Sequence, residues 1–456
     1  LESTMDRRPN STQLGTRSEV ALGHDKWKAR SAMEFALACY GTRGDIEPCT
    51  AVGSELLRRG HEVRMAVPPD HVGFVEAAGL AAVSYGPNTG SFWDADFVRN
   101  FWMDFRRNFW TIREPIRLVA KLWEPILQNW AEMGTTLTSL AEGADLLSTG
   151  LICQEAAANV AEYYDIPLAT LHYYPKLSNG RRVWVLPSPL VRSVTVFEWL
   201  WWRCTKEVED AQRRELGLPK ATAPSLRRVA ERPSLEIQAY DEVCFPGLGP
   251  EWAKWGGRRP FVGALSMGLP ADADDEVASW IAAGTPPICF GFGSMPILES
   301  PSDTVEMISA ACAQLGERAL VYSGWGDFGD VPQSDYVKVV GTINHAAIFP
   351  AFRAVVHHGG AGTTAAGLRA GIPTLILWTA GDQPYFAAQV KRLKVGTTRR
   401  FSSTTRESLL ADLRLILAPE YATRARELAA RMTKPAESVA RAADLVENFA
   451  RLRHVV

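Results

Sequence analysis

Apolar and polar positions along this chain fall into blocks that repeat the order strand, turn, helix. Glu34 to Cys39 is an apolar strand-like run, Gly41 to Glu47 a loop, and Pro48 to Gly60 a helix, with a second strand at Glu62 to Val67. Together they predict a βαβ opening. Ala144 to Thr149 and Pro167 to His172 read as further strands of the same sheet, with Glu155 to Tyr164 as the helix between them. A Gly-, Pro- and Trp-rich passage, FPGLGPEWAKWGGRRP, then interrupts the pattern, which restarts at Pro287. Ile288 to Phe292 is an apolar strand ending in Gly293 and Ser294, followed by a helix from Asp303 to Leu315 and a strand at Ala319 to Ser323. Leu409 to Leu417, Tyr421 to Met432 and Ala436 to Arg453 carry helical periodicity.

The fold class expected is α/β with two Rossmann-like, doubly wound domains facing a central cleft. The expected boundaries are an N-terminal extension over 1–32, a first domain over 33–246, a linker region over 247–286, a second domain over 287–435 and a C-terminal helix over 436–456 that crosses back to the first domain. Residues 1–32 are polar and lack apolar periodicity, and Met33 is the better natural start.

Composition narrows the function. Lys and Arg number 49 against 51 Asp and Glu, a formal net charge of -2, which gives no polyanion signature and argues against nucleic acid as the main partner. The seven cysteines are scattered without a CxxC pair, as in a reduced protein. No apolar run has the length of a membrane span or the form of a signal peptide. The expected location is cytoplasmic, with peripheral contact at the inner membrane face compatible with the aromatic content.

The most informative stretch is Ala354 to Gln383, AVVHHGGAGTTAAGLRAGIPTLILWTAGDQ. It spells a strand, a glycine turn at Gly359, Gly360 and Gly362, a helix opened by Thr363 and stopped by Gly371 and Pro373, a second strand at Thr374 to Trp378 and then the polar pair Asp382 and Gln383. The amino end of such a helix offers unpaired N–H groups and about half a positive charge, enough to hold a diphosphate without a metal. A nucleotide or nucleotide sugar is the expected guest. Of His357 and His358, the first fits a core histidine and the second, beside the turn, a donor to a phosphate oxygen. Asp382 and Gln383 suit the vicinal hydroxyls of a sugar or, equally, the start of a loop before Pro384. Asp45, after the first strand, suits a general base at the carboxyl edge of the sheet or a plain helix cap. The spacing of Gly360, Gly362, Ala365 and Asp382 also admits a nicotinamide-dependent dehydrogenase, and the fold admits a nucleotide-sugar epimerase. Ten of the 15 tryptophans precede Arg203, and the segments Phe92 to Trp130 and Val183 to Trp202 suit either a large apolar acceptor or internal helix packing.

GTRGDIEP, GSMP and HHGGAGTTAAGLRAGIPTLILWTAGDQPYFAAQV together resemble the family 1 nucleotide-sugar glycosyltransferases over nearly the whole chain after Met33. Within them the resemblance is to enzymes that glycosylate glycopeptide antibiotics and, more closely, to mycobacterial glycosyltransferases of glycopeptidolipid assembly. It implies the GT-B architecture, with acceptor on the first domain and donor on the second. It implies Asp45 as base, and Gly293, Ser294, His358, Gly360, Gly362, Thr363, Asp382 and Gln383 as donor-binding residues. It implies inverting transfer, with no metal and no cofactor, from a dTDP- or UDP-linked hexose or 6-deoxyhexose to a lipid-like or peptidolipid hydroxyl. Where plant relatives place a tryptophan on uracil, this chain has Thr342 and Ile343, which leaves the base open.

Overall fold

A computed structural model describes residues 32–90, 121, 123–152, 154–175, 188–232, 234–293, 301–322, 336–379 and 381–452. Twelve strands form two six-stranded parallel sheets. The first contains β1 (Glu34–Ala38), β2 (Glu62–Val67), β3 (Ala81–Ser84), β4 (Leu146–Thr149), β5 (Leu168–His172) and β6 (Ser234–Gln238), in the order β3-β2-β1-β4-β5-β6. The second contains β7 (Ile288–Gly291), β8 (Ala319–Tyr322), β9 (Val337–Val340), β10 (Ala354–His357), β11 (Thr374–Trp378) and β12 (Gly396–Arg400), in the order β12-β11-β10-β7-β8-β9. Numbered within its own half, the second sheet repeats the order of the first, so the strand sequence reverses once in each sheet: between β1 and β4, and between β10 and β7. A doubly wound sheet opens its ligand crevice at that reversal.

The central strands are apolar throughout because helices cover both of their faces. Leu37 of β1 lies between Met65 and Ser148, and Val355 of β10 between Cys289 and Thr374, all in parallel register. The outer strands β3, β6, β9 and β12 escape the sequence pattern. GTTRR in β12 is a strand because it pairs with Thr374–Trp378, and its residues alone give no such signal.

Two helix starts shift, and so does the linker. The first helix begins at Arg43, five residues before Pro48, because Thr42 and Asp45 form a capping box that satisfies its free N–H groups. The helix after the glycine turn runs Ala361–Arg369 with Gly360 at its cap, so it opens two residues before Thr363. The passage taken as a linker is anchored to the first sheet: Glu236 and Gln238 donate their N–H groups to the carbonyls of Arg258 and Pro260, both at 2.8 Å. The Arg259 guanidinium sits over the rings of Trp252 and Trp255 and pairs with Glu236 at 2.8 Å. The chain leaves this sheet only after Val262.

The final helix, Pro435–Leu452, lies along the Arg43–Arg58 helix, with Ala442, Ala443, Val446 and Ala450 buried in the same cluster as Leu37 and Val52. Arg59 fastens it, donating to Asp444 at 2.6 Å, to Glu447 at 3.0 Å and to the Ala440 carbonyl at 3.1 Å. Arg59→Ala is expected to lower unfolding free energy by about 1–2 kcal/mol, since these three bonds and a fourth to Glu55 at 2.9 Å are lost at a half-buried position. Urea denaturation measures this, and an unchanged midpoint would show the contacts to be fully screened. Among the described residues, no helix is long and apolar enough to cross a membrane.

Candidate functional site

Both reversal points carry the residues that the sequence singles out. After β1 the chain turns at Gly41, whose φ of +131 and missing side chain let it pass Asp45: a methyl there would stand 2.4 Å from Asp45 Oδ2. That oxygen accepts from the Thr42 N–H at 2.9 Å and from the Thr42 hydroxyl at 3.3 Å. The Asp45 carbonyl accepts from the Tyr173 hydroxyl at 2.8 Å. Asp45 therefore braces the start of its helix through one carboxylate oxygen.

Across the cleft, β7 ends at Gly291 and β10 at His357, with the glycine turn between β10 and the Ala361–Arg369 helix. His357 is fully buried, and its Nδ1 accepts from the Gly359 N–H at 2.9 Å, so it shapes the turn from within. Gly359 has φ +97, and a methyl on it would lie 2.7 Å from Ile376 Cγ2 and 3.2 Å from Gln383 Cβ. The His358 ring is wedged between Gly293 and Gly360; a methyl at either would approach it to 2.6 or 2.5 Å. Gly362 differs, since a methyl there meets nothing within 4 Å and the residue faces open space. Ser294 lies outside the described residues.

Burial sets the protonation of this wall. It pushes His358 down to about 4, with the Gly291 carbonyl pulling weakly the other way, so the ring is neutral. His358 Nδ1, His357 Nε2 and the Tyr322 hydroxyl are buried without a completed hydrogen bond. The Tyr322 ring crosses over Gly291 and its hydroxyl faces Thr363, beside the amino end of the helix. Buried polar atoms without partners are costly, and the His358 and Tyr322 rings bring two of them beside Gly360 and Thr363.

Asp382 stands at the cap of the Gln383–Leu393 helix, four residues beyond the end of β11. Burial raises it to about 6. Gln383 is buried, and its Oε1 accepts from the N–H and hydroxyl of Thr379 at 2.8 and 3.0 Å, so its carbonyl oxygen braces the loop after β11. Asp45 is raised to about 7, first by burial and then by the charge of Asp382, against the Thr42 hydrogen bonds. Asp382 ionises first, and its charge then holds the proton on Asp45. The two carboxylates thus share one electrostatic environment across the cleft.

Sequence reasoning missed Thr42, Tyr322 and His345. The T-x-x-D spacing of Thr42 and Asp45 could have announced the capping box. Tyr322 and His345, whose rings lie 5.2 Å apart, reach the site only through the sheet order. The aromatic segments divide. Trp130 is buried and donates to Gln212 at 3.1 Å, and Trp201 donates to Glu155 at 3.1 Å, while Trp199 is 45% exposed. Residues 91–120 and 176–187, with Phe101, Phe105 and Phe109, lie outside the described residues.

The chain matches two family profiles: the glycosyltransferase family 28 N-terminal domain over residues 35–139, and the erythromycin biosynthesis protein CIII-like C-terminal domain over residues 319–447. An uncharacterized glycosyltransferase of Mycobacterium tuberculosis is 63% identical over 422 residues, covering 92% of this chain and 99% of that protein. A sterol 3-beta-glucosyltransferase of Arabidopsis thaliana is 28% identical over 440 residues, covering 92% of this chain and 68% of its own length. Of solved structures, the glycotransferase of kitacinnamycin superposes with a TM-score of 0.68 at 20% identity, covering 92% of this chain and 99% of that one. Spinosyn rhamnosyltransferase SpnG complexed with thymidine diphosphate gives 0.63 at 16% identity, covering 90% and 100%. At those identities the two structures speak for the fold.

Proposed function

From the premise that this chain belongs to the GT-B glycosyltransferases, we propose that it moves a hexose or 6-deoxyhexose from a dTDP- or UDP-linked donor to a hydroxyl of a lipid-like or peptidolipid acceptor. Transfer is inverting and requires neither metal nor cofactor. The observation that carries this reading is the placement of Asp45 and the glycine turn at the two strand-order reversals, close enough that the charge of Asp382 is felt at Asp45.

In one displacement, the acceptor oxygen bonds to the anomeric carbon as the bond from that carbon to the diphosphate breaks. The acceptor proton passes to Asp45, and the electron pair stays on the diphosphate. The amino end of the Ala361–Arg369 helix, Thr363 and an N–H of His358 stabilise that charge. Asp382 receives sugar hydroxyls, with Gln383 holding its loop. A pKa raised to about 7 makes Asp45 a better base than an ordinary carboxylate. An apolar acceptor agrees with the exposed Trp199 and with the acceptor named for the sterol glucosyltransferase relative. The enzyme works at the cytoplasmic face of a membrane, which it touches without spanning.

Incubation with dTDP- and UDP-sugars, with and without hydroxylated lipid or lipopeptide acceptors, tests the reading. Nucleoside diphosphate should appear only when acceptor is present. Change of the sugar alone would establish an epimerase, and reduction of a nicotinamide a dehydrogenase. The pH profile supplies a separate check. Asp45 must be ionised to act, so kcat/KM should rise with pH through about 7 and level off above it, steepening below about 6 where Asp382 also takes a proton. A flat profile between pH 5.5 and 8.5 would remove Asp45 from the role of base.

A further inference from the structure

Arg43 opens the first helix, two residues before Asp45. A cation at that end opposes the helix dipole, so its position needs a compensating anion. The protein supplies little of one. The guanidinium lies 4.5 Å from the centre of the Phe74 ring, and its Nε reaches Glu47 Oε2 at a long 3.3 Å with 41% of the side chain exposed. Among the described residues, Glu47 is the one carboxylate in reach, and its other oxygen is engaged, accepting from the Met267 N–H at 3.0 Å.

That engagement places Arg43 in the fold. Met267 lies on the stretch leading to the second sheet, and the Gly268 carbonyl accepts from Asn344 Nδ2 at 3.0 Å. His345 follows, with its ring against Tyr322, whose hydroxyl faces Thr363. The charge of Arg43 is felt at His345, which burial chiefly and that charge next hold down to about 4. Arg43 thus stands on the first lobe within electrostatic reach of His345, which adjoins Tyr322 and, through its hydroxyl, Thr363 near the amino end of the Ala361–Arg369 helix.

We propose that Arg43 is a further catalytic residue, whose guanidinium grips the donor diphosphate from the side opposite the glycine turn, so that both lobes hold the leaving group. The inference rests on the donor reading above. Its chemistry is that of a planar cation on phosphate oxygens. The negative charge left when the bond to the anomeric carbon breaks is shared between Arg43 and the helix end, while the acceptor proton goes to Asp45. A ligand held from both sides also draws the lobes together.

The test compares wild type with Arg43→Met and Arg43→Lys by calorimetric binding of dTDP, dTMP, UDP and UMP, and by turnover at saturating donor. Wild type should prefer diphosphate to monophosphate. Arg43→Met should shrink that preference roughly 10-fold or more and lower kcat by about 100-fold, with Arg43→Lys recovering part of both. A wild-type preference ratio and kcat in Arg43→Met would overturn the proposal. So would a lowered kcat with an unchanged ratio, which would mark a structural role. Wild type that binds none of the four nucleotides would sink the donor reading, and this proposal with it.

Discussion

Asp45→Asn is expected to lower turnover by about 1,000-fold, to leave donor affinity within about twofold, and to make the protein more stable above pH 7. The amide matches the carboxylate in shape and can still accept from the Thr42 N–H at its cap, so the helix keeps its start. It cannot take a proton from the acceptor. The stability gain follows from the direction of the pKa change. Asp45 is near 3.8 when unfolded and about 7 when folded, so the native state holds this proton more tightly. Its contribution to stability is present below about pH 4 and is lost as pH rises through 7. A shift of that size corresponds to about 4 kcal/mol; partial exposure reduces it to roughly 1–2 kcal/mol. The asparagine variant never charges, so its advantage should be absent near pH 4 and full at pH 8. Melting temperatures at the two pH values measure this. An equal gain at both would show that burial of charge is not its cause, and wild-type turnover would end the assignment of the base.

Gly359→Ala and Gly362→Ala, three residues apart in one turn, should fail in opposite ways. At Gly359 the backbone is left-handed and the new methyl meets Ile376 and Gln383, so the protein should lose about 2–4 kcal/mol. Donor binding should weaken with it, because the Gly359 N–H that anchors His357 and the Gln383 brace both shift. At Gly362 the methyl has open space, so stability should be unchanged within about 0.5 kcal/mol. If the diphosphate lies against that helix end, however, the methyl occupies its place and affinity should fall at least 10-fold. Thermal unfolding and dTDP or UDP titration of both variants separate architecture from ligand contact. Full nucleotide affinity in Gly362→Ala would move the diphosphate away from this turn.

The glycine turn was legible because its demands are local. An apolar strand buried on both faces, glycines where the backbone turns left-handed or approaches a ring, and a helix stopped by Gly371 and Pro373 each leave a mark on the residues themselves. The same holds for Asp45, whose position after β1 fixes its sheet edge. What stayed hidden depends on partners far along the chain. β12 is polar and exists through β11, and Tyr322 reaches Thr363 only because β8 lies beside β7. The bonds from Thr379 to the Gln383 oxygen leave no mark on the sequence either. The start of the first helix was missed because GTRGDIEP looks like a loop when Pro48 is taken as the opening residue.

The chain passes between its halves outward after Val262 and back near Thr433, and the two passages touch. A methyl on Gly263, at φ +86, would stand 2.6 Å from Ser438 Oγ and 2.8 Å from Thr433 Cβ. Asp241, accepting from the Thr433 N–H at 2.7 Å and lying 3.6 Å from Arg369, pins the junction. Beside it, Phe245 and Leu248 of the first half are buried in one cluster with Phe386 and Val390 of the second, so the crossing and this apolar seam together set how the halves meet. A substitution at Gly263 or Asp241 should therefore detune the spacing between Asp45 and the glycine turn without touching either.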